Sequence, residues 1–244
     1  MLNKTKVEEM TKENYDLIKE YVLNEQFEKA LKEFKTYYGT DAFKIYEREK
    51  ESFWQSLIFL MKLSPDLRNI EWVQKLNPYG LFEVEYKLKR TGTFKGCEWL
   101  QNKTVSGKND KLLPAGLKER IDRVHGDFKR RCYRADIFFP YSHTLIEQKS
   151  NLTPLDRKVY PSNKKYCYWK NPICQALEYN YYLRKNNKAK HFITCNFKEI
   201  WVYEIEDIAD TQEPMPSIII PIESIEGYFG YLSYILSGVT VNEF

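Results

Sequence analysis

Residues 14–38 carry apolar side chains at helical spacing: Tyr15, Ile18, Tyr21 and Val22, then Phe27, Ala30, Leu31 and Phe34. The pattern predicts two short helices or one bent helix, ending near Gly39. A stronger helix is predicted over 42–63. There Phe43, Tyr46, Phe53, Trp54, Leu57 and Leu60 share one side, and Ser64-Pro65 stops the run. Asn77-Pro78-Tyr79-Gly80 reads as a turn. Over 81–89, Phe82, Val84 and Tyr86 alternate with charged residues, the period of a half-buried strand. Residues 91–131 are polar, basic and weakly patterned. They predict a long connection with a short helix around 114–124, and a connection of that length points to function or disorder.

Period two returns at 133. Ile137-Phe138-Phe139, then Pro140-Tyr141-Ser142-His143, then Thr144-Leu145-Ile146 predict a strand, turn and strand, a hairpin over 133–149. A polar, basic excursion over 150–171 leads into a helix at 172–183. Two further strands follow at 191–196 and 199–204. Pro214 and Pro216 mark a boundary, 218–220 reads as a short edge strand, and 221–238 as a terminal helix with an aromatic face. Leading helices, then strands, a helix and more strands give an α/β sandwich around a mixed central sheet.

Composition narrows the class. At 244 residues and 43% hydrophobic content, the chain suits one large domain, or one domain with a helical appendage. No stretch is long and apolar enough to span a membrane, and residues 1–12 lack the apolar core of a signal peptide. A cytoplasmic protein without a membrane partner is the expectation. Cys97, Cys132, Cys167, Cys174 and Cys195 include no C-x-x-C pair, and His125, His143 and His191 show no ligand spacing. Reduced thiols are expected rather than a zinc site.

Net charge is +4, but it is unevenly spread. Residues 204–244 hold eight acidic side chains and no Lys or Arg, so the first 203 residues carry +12. Residues 103–134 hold ten basic and four acidic residues. Residues 157–170 add five basic residues with no acid, interleaved with Tyr160, Tyr166, Tyr168 and Trp169, and 184–190 add four more. Basic and aromatic residues mixed in this way suit a polyanion with stackable bases, although a solvated Lys-rich surface would read similarly.

The candidate chemistry lies in the hairpin. Asp136 opens the apolar run of its first strand and Glu147-Gln148-Lys149 close its second, so the two meet at one end. Side chains alternate along a strand, which puts Glu147 and Lys149 on one face and Gln148 on the other. Two carboxylates and an amine converge there. The carboxylates can hold a hard divalent cation such as magnesium, and the amine can orient or help activate a water for attack on a phosphate. In the 172–183 helix, Gln175 and Tyr179 are four apart and project together. They offer donors to a phosphate or an ordering contact to Lys149. The plainer alternative has Tyr179 in the core and Gln175 in solvent.

Asp136, Glu147-Gln148-Lys149 and Gln175…Tyr179, in this order, resemble the PD-(D/E)XK nuclease superfamily. The Gln-x-x-x-Tyr element is similar to the branch that contains lambda exonuclease and helicase-associated nucleases. Four strings sharpen the likeness: Arg134-Ala135-Asp136; Leu145-Ile146-Glu147-Gln148-Lys149-Ser150; Asn171-Pro172-Ile173-Cys174-Gln175-Ala176; and Thr194-Cys195-Asn196-Phe197-Lys198-Glu199. Together they look like the N-terminal nuclease domain of single-chain type IIG restriction-modification enzymes. Residues 49–54, reading E-K-E-S-F-W, look like that family's first core helix, and 220–238 like the segment leading out of the nuclease domain. The resemblance spans about residues 42–238. Ala135 stands where the superfamily name has Pro, and the chain has neither an N-P-P-Y motif nor a glycine-rich cofactor loop for a methyltransferase.

This resemblance implies a restriction-endonuclease-like core at 41–215, after an N-terminal helical extension at 1–40 and before a C-terminal helical segment or linker at 216–244. It implies a DNA endonuclease that uses magnesium, with manganese as a substitute. Asp136, Glu147 and the backbone carbonyl of Gln148 would coordinate the metal, and Lys149 would position or deprotonate the attacking water. Gln175 and Tyr179 would steady the site. Glu49 is a secondary candidate to approach the metal, the alternative being a helix N-terminal charge. A fused or partner methyltransferase and specificity domain, and transient dimers on DNA, are further expectations. The competing readings are a non-catalytic nucleic-acid-binding module on the same fold and a lambda-type exonuclease.

Overall fold

Asn3 starts the first helix by accepting the Lys6 N–H on its side chain at 2.8 Å, which satisfies one of the free donors of the first turn. That helix, α1 (Lys4–Leu23), begins well before the apolar periodicity does. The chain turns through Glu25, whose φ is 56°, into α2 (Phe27–Tyr38). The structure is a computed structural model and describes residues 3–88, 133–156, 171–183, 185–204 and 214–239. The predicted connection at 91–131 lies outside the described residues, as do most of the basic excursion over 150–171 and Cys97, Cys132 and Cys167.

The helix expected from residue 42 starts later. A 3₁₀ turn at Glu47–Glu49 leads into α3 (Lys50–Leu63), and residues 42–46 are not helical. A distant side chain accounts for this. Asn151 accepts the Ile45 N–H at 2.8 Å and donates to the Thr40 and Phe43 carbonyls at 2.9 Å each. Those backbone groups are satisfied without a helix. A short α4 (Glu71–Gln74) follows, which the apolar spacing does not announce.

The strands form one mixed sheet in chain order. They are β1 (Glu83–Leu88), β2 (Tyr133–Phe139), β3 (Thr144–Gln148), β4 (His191–Cys195), β5 (Glu199–Glu204) and β6 (Ile218–Pro221). All neighbours are antiparallel except β3 and β4. Parallel neighbours need a long crossover, and α5 (Pro172–Tyr182) supplies it. The expected hairpin is the β2–β3 pair, and the expected edge strand is β6. The terminal helix is interrupted: a 3₁₀ stretch at Ile222–Tyr228 precedes α6 (Phe229–Ser237), with Ser224 out of helical conformation.

Alternation along the strands fills two cores. Ile146, Ile137, Phe139, Ile193, Ile200 and Ile220 face the layer of α1, α2, α3 and α6, around Phe34, Phe53, Trp54 and Leu232. Leu145, Phe138 and Phe192 face α5 through Ile173, Ala176 and Tyr179. The two N-terminal helices thus share a core with the sheet. Among the described residues no helix is long and apolar enough to cross a membrane. Cys174 and Cys195 are both buried.

Candidate functional site

Glu147 follows Ile146 on the apolar strand β3, so its carboxylate goes to the α5 face of the sheet and is fully buried. Gln148 goes to the other face, where its Oε1 accepts the Trp54 indole N–H at 3.1 Å. Lys149 returns to the α5 face. Its ammonium ion-pairs with Glu147 Oε1 and lies 3.3 Å from Gln175 Oε1. The Gln175 amide donates in turn to the Tyr179 hydroxyl at 2.7 Å. The four-residue spacing on α5 therefore continues a single chain of contacts from Glu147 to Tyr179.

Asp136 joins from β2. Ladder pairing between β2 and β3 runs from Phe139↔Thr144 to Ile137↔Ile146 and ends there. One step further, the Asp136 side chain takes the place of the backbone: its Oδ2 accepts the Gln148 N–H at 2.9 Å. Its Oδ1 accepts from the Lys50 ammonium at 2.8 Å. Lys50 also ion-pairs with Glu85, and Glu85 has a φ of 54° within β1.

The electrostatics follow from this crowding. Burial pushes the Glu147 carboxyl well above the usual carboxylate range, and the Asp136 charge adds to the rise while Lys149 opposes it. Burial alone would lower the Lys149 ammonium, but Glu147, Asp136 and Glu47 outweigh it and hold the group above the ordinary lysine range. Tyr179 is raised by burial, then by the Glu147 and Asp136 charges, so its hydroxyl keeps its proton. Glu147 Oε2 is buried with no hydrogen-bond partner among the described residues. The Thr194 hydroxyl, on the residue paired with Glu147 across β4, is likewise buried without a partner.

Asp136, Glu147, Lys149, Gln175 and Tyr179 are thus brought together. Glu49 is not. Its Oε1 accepts from Arg48 at 2.9 Å, and its charge bears on Tyr37 and Tyr38 rather than on the hairpin. The reason is local: in a 3₁₀ turn residues three apart share a side, so Glu47 and Lys50 project together and Glu49 does not. Glu47 is the carboxylate of that turn whose charge reaches Glu147 and Lys149. Lys50, Glu85 and Glu47 escape sequence reading. Lys50 lies 86 residues from Asp136, and no spacing rule connects them.

Among the described residues, no group of three or more His, Cys, Asp or Glu side chains stands ready to hold a metal ion. Two carboxylates, one with a buried oxygen unpartnered among the described residues, are the kind of oxygen donor that a hard cation such as magnesium takes. Compared with family models, curated proteins and solved structures, the chain has no match.

Proposed function

We propose that this chain is a metal-dependent deoxyribonuclease of the PD-(D/E)XK kind, acting as an endonuclease on DNA, in the setting of restriction-modification or phage defence. The observation that carries the reading is the convergence of Asp136, Glu147 and Lys149 at one end of the β2–β3 hairpin, with Glu147 Oε2 buried and unpartnered among the described residues. Glu147 is fully buried within reach of the Asp136 charge, and its Oε2 has no hydrogen-bond partner among the described residues; a bound cation would supply that partner.

Asp136, Glu147 and the Gln148 carbonyl are the oxygens that would hold magnesium or manganese. The bound cation would neutralise charge developing on the scissile phosphate and acidify a water. Lys149, kept as an ammonium, donates a hydrogen bond that orients the attacking water or a phosphate oxygen rather than taking a proton. Gln175 fixes the Lys149 rotamer through its Oε1, and Tyr179 fixes Gln175. Basic, aromatic-rich stretches of the sequence would supply affinity for the DNA backbone.

The test is incubation with supercoiled and linear DNA, with magnesium or EDTA. Nicked and linear products that vanish in EDTA and in Lys149→Ala are expected. Steady shortening from the ends would replace the endonuclease with a lambda-type exonuclease. DNA binding without cleavage, unaltered by Lys149→Ala, would overturn catalysis in favour of a binding module.

A further inference from the structure

Lys50 and Glu85 take no part in the proposed hydrolysis, yet they border its carboxylates. Lys50 opens α3, and its side chain is 5% exposed. Its ammonium sits between Asp136 Oδ1, at 2.8 Å, and Glu85 Oε1. Asp136 Oδ2 is taken by the Gln148 N–H at 2.9 Å. The Asp136 carboxylate is therefore engaged on both oxygens, while Glu147 Oε2 has no hydrogen-bond partner among the described residues.

Glu85 is a different kind of partner. Its side chain is 46% exposed, and it occupies the β1 position facing Asp136, between the pairs Val84↔Ile137 and Tyr86↔Ala135. Its left-handed backbone is unfavourable for a residue with a Cβ, and such a conformation persists only where its surroundings enforce it. The β1–β2 ladder lacks a pair at this position, and there the Glu85 carboxylate reaches Lys50.

We propose that Lys50 is a built-in counter-cation that competes with the divalent cation for Asp136, and that Glu85 is the seat to which Lys50 retires when the cation binds. This rests on the reading of Asp136 and Glu147 as cation ligands. An ammonium and a divalent cation on one poorly solvated carboxylate repel each other strongly, so the arrival of one drives off the other. Without a second partner, the displaced ammonium would be a buried, unpaired charge. Glu85 prevents that, and its exposure makes its own charge cheap to keep. Each carboxylate then has its own ammonium before the cation arrives: Lys50 for the partly buried Asp136 and Lys149 for the buried Glu147.

The experiment titrates Mn2+ by calorimetry into the whole chain and into Lys50→Met, Glu85→Gln, the double variant and Glu147→Gln. Lys50→Met should bind Mn2+ about tenfold tighter. Glu85→Gln should bind it about threefold more weakly, and that loss should vanish in the Lys50→Met background. Unchanged or weaker affinity in Lys50→Met overturns the proposal, as does a Glu85→Gln effect that survives intact without Lys50. A second measurement needs no variant that must fold: NMR of the lysine ammonium groups in the wild type. Saturating Mg2+ should shift the Lys50 ammonium resonance, and a resonance that stays put overturns the exchange. Glu147→Gln separates the two levels. If it binds Mn2+ as the wild type does, the carboxylate-pair reading falls. If it loses binding while Lys50→Met is unchanged, the competition alone falls.

Discussion

At the scale of single residues, Glu147 and Lys149 depend on each other because water cannot reach either well. Lys149→Met leaves a buried carboxylate whose only relief is to take a proton. Burial and then Asp136 already push the Glu147 carboxyl up, and Lys149 is what holds it down. Without Lys149 it rises further. A carboxyl held above its unfolded value stabilises the fold fully below the ordinary carboxylate range, and that contribution is lost as pH rises through the folded value. The stability gap between wild type and Lys149→Met should therefore widen as pH rises from the folded value of the wild type to the higher one of the variant. Denaturant unfolding across a pH series measures it, and a gap independent of pH would sink this account of the pair.

Elements are set here by side chains far away in sequence. Asn151 holds residues 40–45 out of the helix that their apolar spacing favours, and so places the 3₁₀ turn that delivers Glu47 and Lys50. Asn151→Ala removes three hydrogen bonds to backbone and should cost about 2–3 kcal/mol. Chemical denaturation reads this directly, and a loss under about 0.5 kcal/mol would show that the segment is held some other way. The other telling terminus is the end of α6. Gly238 caps it at φ 72°, with its Cα against the β2–β3 turn, where an added Cβ would lie 2.8 Å from Ser142 Cα and 2.9 Å from the Tyr141 carbonyl oxygen. Neither neighbour is a flexible side-chain end, so the backbone would have to move. Gly238→Ala should destabilise by about 3 kcal/mol. A variant with wild-type thermal stability would show that the turn yields easily.

On the scale of the whole molecule, charge is polarised along the chain, with +12 before residue 204 and only acidic charge after it. If the proposed substrate is right, DNA binding is dominated by phosphate contacts and counterion release. The logarithm of affinity should fall linearly with the logarithm of salt, losing at least about tenfold between roughly 50 and 200 mM. Fluorescence anisotropy with a labelled duplex measures the slope, and a flat response would remove the electrostatic support for nucleic acid. Six strands fix the β2–β3 hairpin between helices packed on both faces of the sheet, and the site lies on the face that α5 packs against.

The primary structure alone determined what depends on short-range alternation. Period two over 133–149 made the hairpin and put Glu147 and Lys149 on one face. Four-residue spacing put Gln175 beside Tyr179, and Ser64-Pro65 ended α3. Tertiary structure alone decided where α3 begins, which member of the 47–50 turn faces the carboxylates, and that Lys50 and Glu85 close around Asp136. Local spacing can choose a face of a helix or strand, because that choice needs only the geometry of one element. It cannot say which two faces meet, because that depends on sheet order, on a crossover and on an asparagine roughly a hundred residues away satisfying backbone groups that would otherwise have gone into a helix.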